Sequence, residues 1–116
     1  MSTKTNIGSN LARQQCKPCS AATPPLKQEQ INTLLQQLEG WEQHGQLIGK
    51  TFEFQNYHQA ISFVNAVAWV SNQEDHHPEL TISYNKCKVE YTTHAINGLT
   101  ENDFICAAKV DALLKV

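Results

Sequence analysis

The sequence predicts a single α+β domain in which three helices pack on one face of a four-stranded antiparallel sheet. Two observations carry this prediction. Apolar residues recur at three- and four-residue steps in three segments, and pairs of short alternating segments are separated by tight turns. Strands that are joined by short turns pair antiparallel. The chain has 116 residues, 41% of them hydrophobic and 17% charged, which suits one hydrophobic core of a globular domain.

The predicted order of elements is helix-strand-strand-helix-strand-strand-helix. Turn residues and helix-capping residues set the boundaries. The first helix covers residues 27–39 and stops at Gly40, the first hairpin turns at residues 43–46, the second helix runs from Asn56 as N-cap to about residue 73, the second hairpin turns at Asn85-Lys86, and the last helix starts at Thr100.

Composition divides the chain into two parts. Residues 1–25 are rich in Ser, Thr, Asn, Gln, Ala and Pro without a sustained period, which predicts a flexible N-terminal tail before a folded domain over residues 26–116. The tail holds Cys16-Lys17-Pro18-Cys19. A structural zinc site needs four ligands, so we predict two free thiols here, with zinc shared between two subunits as the alternative. Cys87 and Cys106 fall in core elements and are predicted to be buried.

Charge and hydropathy exclude several classes of partner. The net charge is −2 and the isoelectric point is near 6.2, which argues against a nucleic-acid binder. The longest apolar run is far shorter than a membrane-spanning helix requires. The N-terminus is polar and carries no apolar signal-peptide core, so we expect a cytoplasmic protein with reduced cysteines and no membrane partner.

Histidine clustering is the strongest sign of chemistry. His76, His77 and His94 fall within nineteen residues, and Pro78 predicts that the pair lies at or just beyond a helix end. With Asp75 to orient one ring and Asp103 nearby, they could form a proton-transfer pocket. Two alternatives remain: histidines that only cap a helix C-terminus, and a three-histidine catalytic zinc site. Adjacent histidines suit zinc poorly, because neighbouring side chains of an extended backbone point in opposite directions.

The same residues carry a resemblance to a known family. His76-His77-Pro78 is followed by an aromatic residue, a third histidine and an aspartate at Tyr84, His94 and Asp103. In this spacing the sequence resembles the pterin-4a-carbinolamine dehydratases, over about residues 26–115. Further matches are Gly40-Trp41, Phe63-Val64-Asn65 and Gly98-Leu99-Thr100-Glu101. The family usually has a glutamate four residues before the first histidine, where this chain has Asn72, with Glu74 two residues further on.

The resemblance implies a hydro-lyase, a 4a-hydroxytetrahydrobiopterin dehydratase. It would remove water from 4a-hydroxytetrahydropterin to give quinonoid dihydropterin, which recycles the cofactor of aromatic amino-acid hydroxylases. His76, His77 and His94 would be catalytic. We expect His77, which is fixed next to Pro78, to be the acid for the departing hydroxyl, and His76 and His94 to bind the ring or accept the N5 proton. The implied substrate-binding residues are Asp75, Thr92, Thr93, Ala95 and Asp103. The pterin is the substrate, and neither a metal nor a separate cofactor is expected.

Two further expectations concern binding partners. Mammalian members of the family also serve as dimerisation cofactors of a transcription factor, so a non-catalytic binding protein with the same fold is an alternative. An exposed sheet edge invites pairing with a second copy, and we therefore expect a homodimer or a homotetramer, held by strand pairing or by the last helix.

Overall fold

The computed structural model describes residues 10–115, and its elements follow the predicted order. Residues 10–13 are helical. The elements that follow are α1 (Gln28–Leu35), β1 (Glu42–His44), β2 (Leu47–Glu53), α2 (Tyr57–Glu74), β3 (Glu79–Ser83), β4 (Lys86–Tyr91), a 3₁₀ turn (His94–Ile96) and α3 (Glu101–Ala112). The predicted α+β architecture is confirmed. The first helix ends earlier than predicted, because residues 36–39 form turns rather than a further helical turn.

The sheet has the strand order β1-β2-β4-β3, and every neighbouring pair is antiparallel. Cys87 pairs with both Phe52 and Ile82, and Ile48 pairs with Tyr91, which places these side chains on one face. Helices α2 and α3 both contact β4, and this apolar face covers the hydrophobic core. Because the central strand β4 lies under both helices, its C-terminal end is brought to the place where α2 ends and α3 begins.

Local capping explains where α2 starts and stops. The Asn56 side chain accepts a hydrogen bond from the backbone N–H of Gln59 at 2.9 Å, as predicted. At the other end Asp75 adopts a left-handed conformation with φ of 51°, and its N–H donates to the carbonyl oxygen of Ser71. Helix α2 therefore ends at Glu74, and His76 and His77 lie just beyond the helix end, as the proline predicted.

Residues 11–19, which belong to the predicted flexible tail, are packed on the domain. Leu11 is only 2% exposed and belongs to the core. The Lys109 ammonium donates to the carbonyl oxygen of Ala12 at 2.7 Å, and the Cys16 N–H donates to Glu74 Oε1 at 2.8 Å. The polar composition of this segment gave no sign that Leu11 would be buried. It also gave no sign that helix side chains, Glu74 and Lys109, would hydrogen-bond to the backbone of the segment. We call residues 11–19 the N-terminal strap.

The remaining predictions about the ends of the chain are covered only in part. Apart from the helical residues 10–13, the elements named above lie within the predicted domain of residues 26–116. Residues 1–9 of the predicted tail, and Val116 of the predicted domain, lie outside the described residues. Among residues 10–115, no helix combines the length and the apolar character that crossing a membrane requires.

Candidate active site

A pocket of about 570 Å³ lies between the end of α2, the end of β4 and the start of α3. This volume is within the usual range for a small-molecule site. The structure brings the three predicted histidines together along its wall. It also places four of the five predicted substrate-binding residues there: Asp75, Thr92, Thr93 and Ala95. The remaining lining residues are Cys16, Lys17, Pro18, Cys19, Glu74, Pro78 and Asn102.

His76 is the most firmly held of the three histidines. Its Nε2 lies 2.6 Å from Asp103 Oδ1, and its ring is stacked on Tyr91 with 5.8 Å between centroids and 7° between planes. The His76 backbone N–H donates to the carbonyl oxygen of Ser71. An ionised carboxylate only accepts hydrogen bonds, so Nε2 carries the proton that this contact uses. Nδ1 is then the nitrogen that remains to serve the pocket.

Asp103 supports His76 from inside the protein. Its side chain has no exposed surface, and its Oδ2 accepts hydrogen bonds from the Thr93 hydroxyl at 2.8 Å and from the Thr100 N–H at 3.0 Å. Because the Thr93 hydroxyl already donates its proton to Asp103, it can only accept from the Thr100 hydroxyl, whose Oγ1 lies 2.8 Å from Thr93 Oγ1. Asp103 is buried behind His76 and does not line the pocket, and its contact with the substrate stays a prediction.

His77 and His94 are exposed to solvent at the pocket. The Nε2 of His77 lies 3.4 Å from Oδ1 of Asn72, the residue that stands in place of the family's usual glutamate. His94 begins the 3₁₀ turn after β4, where the pairing of Thr93 with Gly98 closes a small loop. One ring is thus fixed by a buried carboxylate, while two rings face water and have freedom to turn.

Sequence reasoning missed two parts of the site. Tyr91, in β4, was not among the predicted site residues, yet its ring forms the surface on which His76 stacks. Within residues 10–115, its hydroxyl is the one buried side-chain oxygen or nitrogen without a hydrogen-bond partner. Burial raises the pKa of Tyr91 well above its usual value, and the nearby Cys106 thiol raises it further. The second missed part is the strap, whose Cys16–Cys19 stretch lines the pocket.

The metal alternative concerns the same three histidines. Across the described range, 10–115, no group of three or more histidine, cysteine or carboxylate side chains is placed so that it could hold a metal ion. The three histidines share a pocket, but their arrangement is not that of a preformed three-ligand site. A buried carboxylate beside a histidine fixes the orientation of the ring both in proton-transfer sites and beside metal ions, so the His76–Asp103 pair is compatible with either role.

Fold and site together define a small α+β protein with a histidine-lined pocket, and comparison with known proteins gives its family. The family model described as pterin 4 alpha carbinolamine dehydratase matches residues 24–113. The chain therefore belongs to this family.

Relatives of high identity share almost the whole chain. A protein of Nitrosospira multiformis is 62% identical over 107 residues, which cover 92% of this chain and 95% of that protein. A protein of Nitrosomonas eutropha is 61% identical over 111 residues, covering 95% of this chain and 97% of that protein. Both carry the name pterin-4-alpha-carbinolamine dehydratase as a provisional assignment.

Two solved structures are similar to this fold. One, from Brucella melitensis, is described as a transcriptional coactivator/pterin dehydratase. It matches with a TM-score of 0.76 and 32% identity, and the match covers 79% of this chain and all of that one. The other is a pterin dehydratase-like protein identified as a RuBisCO assembly factor in the alpha-carboxysome. It has a TM-score of 0.54 and 26% identity, covering 63% of this chain and 84% of that one.

Proposed function

We propose that this protein catalyses the dehydration of 4a-hydroxytetrahydropterin to quinonoid dihydropterin by histidine acid–base catalysis. The observation that carries the proposal is the fixed pair of His76 and the buried Asp103 at a pocket that His77 and His94 also line. Membership of the pterin 4 alpha carbinolamine dehydratase family supports the choice of substrate.

The reaction needs one proton donor and one proton acceptor. The bond between C4a and the hydroxyl oxygen breaks, the departing oxygen takes a proton and leaves as water, and the electrons of the N5–H bond form the new N5–C4a double bond. We assign the N5 proton to Nδ1 of His76, because the Asp103 carboxylate stabilises the imidazolium that results. We assign the acid role to the exposed His77, which can regain a proton from solvent. His94 then binds the pterin ring.

Pterin recognition falls to the residues that flank the histidines. A pterin has an edge of alternating donors and acceptors, which a carboxylate and backbone groups can pair with. Asp75 is exposed at the pocket, and Thr92, Thr93 and Ala95 belong to the segment after β4. We propose that Asp75 accepts hydrogen bonds from the pterin amino group and ring N–H, and that the 92–95 segment supplies the remaining contacts.

The test is an assay with freshly generated 4a-hydroxytetrahydropterin, followed by the absorbance of the quinonoid product. Separate alanine variants of His76 and His77 should each lower kcat/KM by about 10²–10⁴-fold. The alanine variant of His94, which loses a contact to the pterin ring, should mainly raise KM. His58→Ala is the matched control, since His58 is exposed on α2 and does not line the pocket. Combined histidine variants should lose less than the product of the single losses if the rings act as a unit. A wild-type protein that does not accelerate the reaction would refute the proposal.

A second candidate function is binding of a protein partner without catalysis. It is favoured by the two structural neighbours, whose descriptions include a transcriptional coactivator and an assembly factor. Trp69 on α2 exposes 66% of its surface and is available for such a contact. The two functions separate experimentally, because a binding role should survive His76→Ala and be weakened by Trp69→Ala, whereas dehydration should show the reverse.

A further inference from the structure

The strap is held by one face of α3. Asn102 pairs with both backbone groups of Lys17: its Oδ1 accepts from the Lys17 N–H at 3.0 Å, and its Nδ2 donates to the Lys17 carbonyl oxygen at 2.7 Å. Lys109 holds the carbonyl oxygen of Ala12. Asn102, Cys106 and Lys109 are spaced by four and three residues, so all three side chains lie on the same side of the helix. The strap is therefore fastened along one helix face, with its Cys16 end at the pocket.

Two thiols are in contact where the strap packs on α3. Cys16 Sγ lies 3.5 Å from Cys106 Sγ, although the two residues are 90 positions apart in the chain. Cys106 is fully buried, whereas Cys16 is partly exposed at the pocket. A disulfide requires about 2.0 Å between the sulfur atoms, so a closure of about 1.5 Å would join them. Cys19, the other thiol of the strap, instead accepts a hydrogen bond from Asn102 Nδ2 at 3.2 Å.

We propose that Cys16 and Cys106 form a thiol–disulfide site that, when oxidised by a peroxide, locks the strap as a covalent wall of the pocket. The inference is independent of the proposed function, because it concerns the two sulfur atoms and the strap. It assigns to the Cys106 thiol a reactive role, which is separate from the acid–base chemistry of the histidines and from the packing of Cys106 in the core.

The chemistry balances with hydrogen peroxide as the oxidant. The accessible Cys16 thiolate attacks one peroxide oxygen, the O–O bond breaks, and a sulfenic acid forms as hydroxide leaves. The Cys106 sulfur then attacks the Cys16 sulfur, the S–O bond breaks, and water leaves as the disulfide forms. Overall, two thiols and one peroxide give one disulfide and two waters. The hydrogen bond with Cys16, and then burial, raise the pKa of Cys106, which favours the accessible Cys16 as the first thiol to react.

Tryptic mapping after peroxide treatment tests the proposal on the intact protein. Trypsin leaves the Lys17-Pro18 bond uncut, so residues 14–27 carry both strap cysteines, whereas residues 89–109 carry Cys106 alone. The proposal expects these two peptides to be cross-linked, and the link to disappear on reduction. A disulfide confined within residues 14–27, or no disulfide at all, would overturn it.

Single variants identify the partner of Cys106. Cys19→Ser is the matched control and should still give the cross-linked peptides, whereas Cys16→Ser should not. Cross-linking that persists in Cys16→Ser and vanishes in Cys19→Ser would overturn the assignment. Hydrogen exchange provides a readout that depends on neither variant: the amides of residues 11–19 should exchange at least tenfold more slowly in the oxidised wild-type protein. Unchanged exchange would refute the locking of the strap.

Discussion

Replacing Asp103 by asparagine should reverse the tautomer of His76 while leaving the pocket intact. Thr93 and Thr100 both donate to Oδ2 of Asp103, so the amide oxygen of an asparagine will take that position. The amide nitrogen, which is a donor, then faces Nε2 of His76. Nε2 must become an acceptor, and the proton moves to Nδ1. The nitrogen that we assign to receive the N5 proton is then already occupied.

The size of both effects follows from the contacts. In a serine-protease triad, the same exchange of aspartate for asparagine lowers kcat by about 10⁴-fold through the wrong tautomer. Here one of two acid–base groups is affected, so we expect kcat/KM to fall by about 10²–10⁴-fold. The hydrogen bond between residue 103 and His76 is kept but loses its charge assistance, which should lower the free energy of unfolding by about 1–1.5 kcal/mol.

Turnover of 4a-hydroxytetrahydropterin, urea unfolding and imidazole ¹⁵N shifts of His76 together check this prediction. Asp111→Asn is the matched control, because Asp111 accepts hydrogen bonds from Trp41 and Lys50 and does not line the histidine pocket. It should lose stability and keep turnover. An Asp103→Asn protein with wild-type kcat/KM, or with the proton still on Nε2, would show that the aspartate does not orient the base.

The remaining predictions concern stability, the strained residue at the pocket and assembly. Tyr91→Phe removes an unpaired buried hydroxyl and should leave stability at neutral pH unchanged or raise it by about 1 kcal/mol, measured by urea unfolding. The pKa of Tyr91 is raised in the folded state, so its contribution to the free energy of unfolding is complete below about pH 10 and is lost above that pH. Above about pH 10 the free energy of unfolding of the wild-type protein should fall by up to about 1.4 kcal/mol per pH unit. The phenylalanine variant should lose stability less steeply over the same range. Asp75→Gly should remove the strain of a left-handed conformation and raise the free energy of unfolding by about 0.5–1 kcal/mol. The same variant should raise the KM for the pterin about tenfold, because a hydrogen-bonding carboxylate is lost. An unchanged KM would show that Asp75 does not bind the substrate. The unpaired edge of β3 leads us to expect a homodimer or homotetramer, which a 13 kDa species in sedimentation at micromolar concentration would contradict. Turnover should survive chelators, and a loss that added zinc restores would return the histidines to a metal role.

Local patterns were enough to predict the sheet and its helices. The Asn56 cap, the proline after His77 and the alternation along β4 each act over a few residues, and the structure agrees with all three. The sequence also indicated which histidines lie together, because a helix end and a strand end meet at one edge of the sheet.

Contacts between distant residues were beyond this reasoning. Asp103 and His76 are 27 positions apart, and a carboxylate in the first turn of a helix is equally well explained by helix capping. The strap was missed for a related reason, because a single buried leucine has no period and Asn102 lies 85 positions from Lys17. Neither contact leaves a mark on composition or spacing, and both depend on how α3 packs.

The proposed activity depends on one helix end, because Asp103 has a structural role there as well as a role in the site. The same carboxylate caps the first turn of α3 and orients the ring of His76, so local fraying of that turn misaligns the ring even while the sheet stays folded. Enzymatic inactivation should therefore precede the global transition in a denaturant titration. The rate of the proposed dehydration would then report on this helix terminus alone, whereas a spectroscopic signal averages over the whole chain.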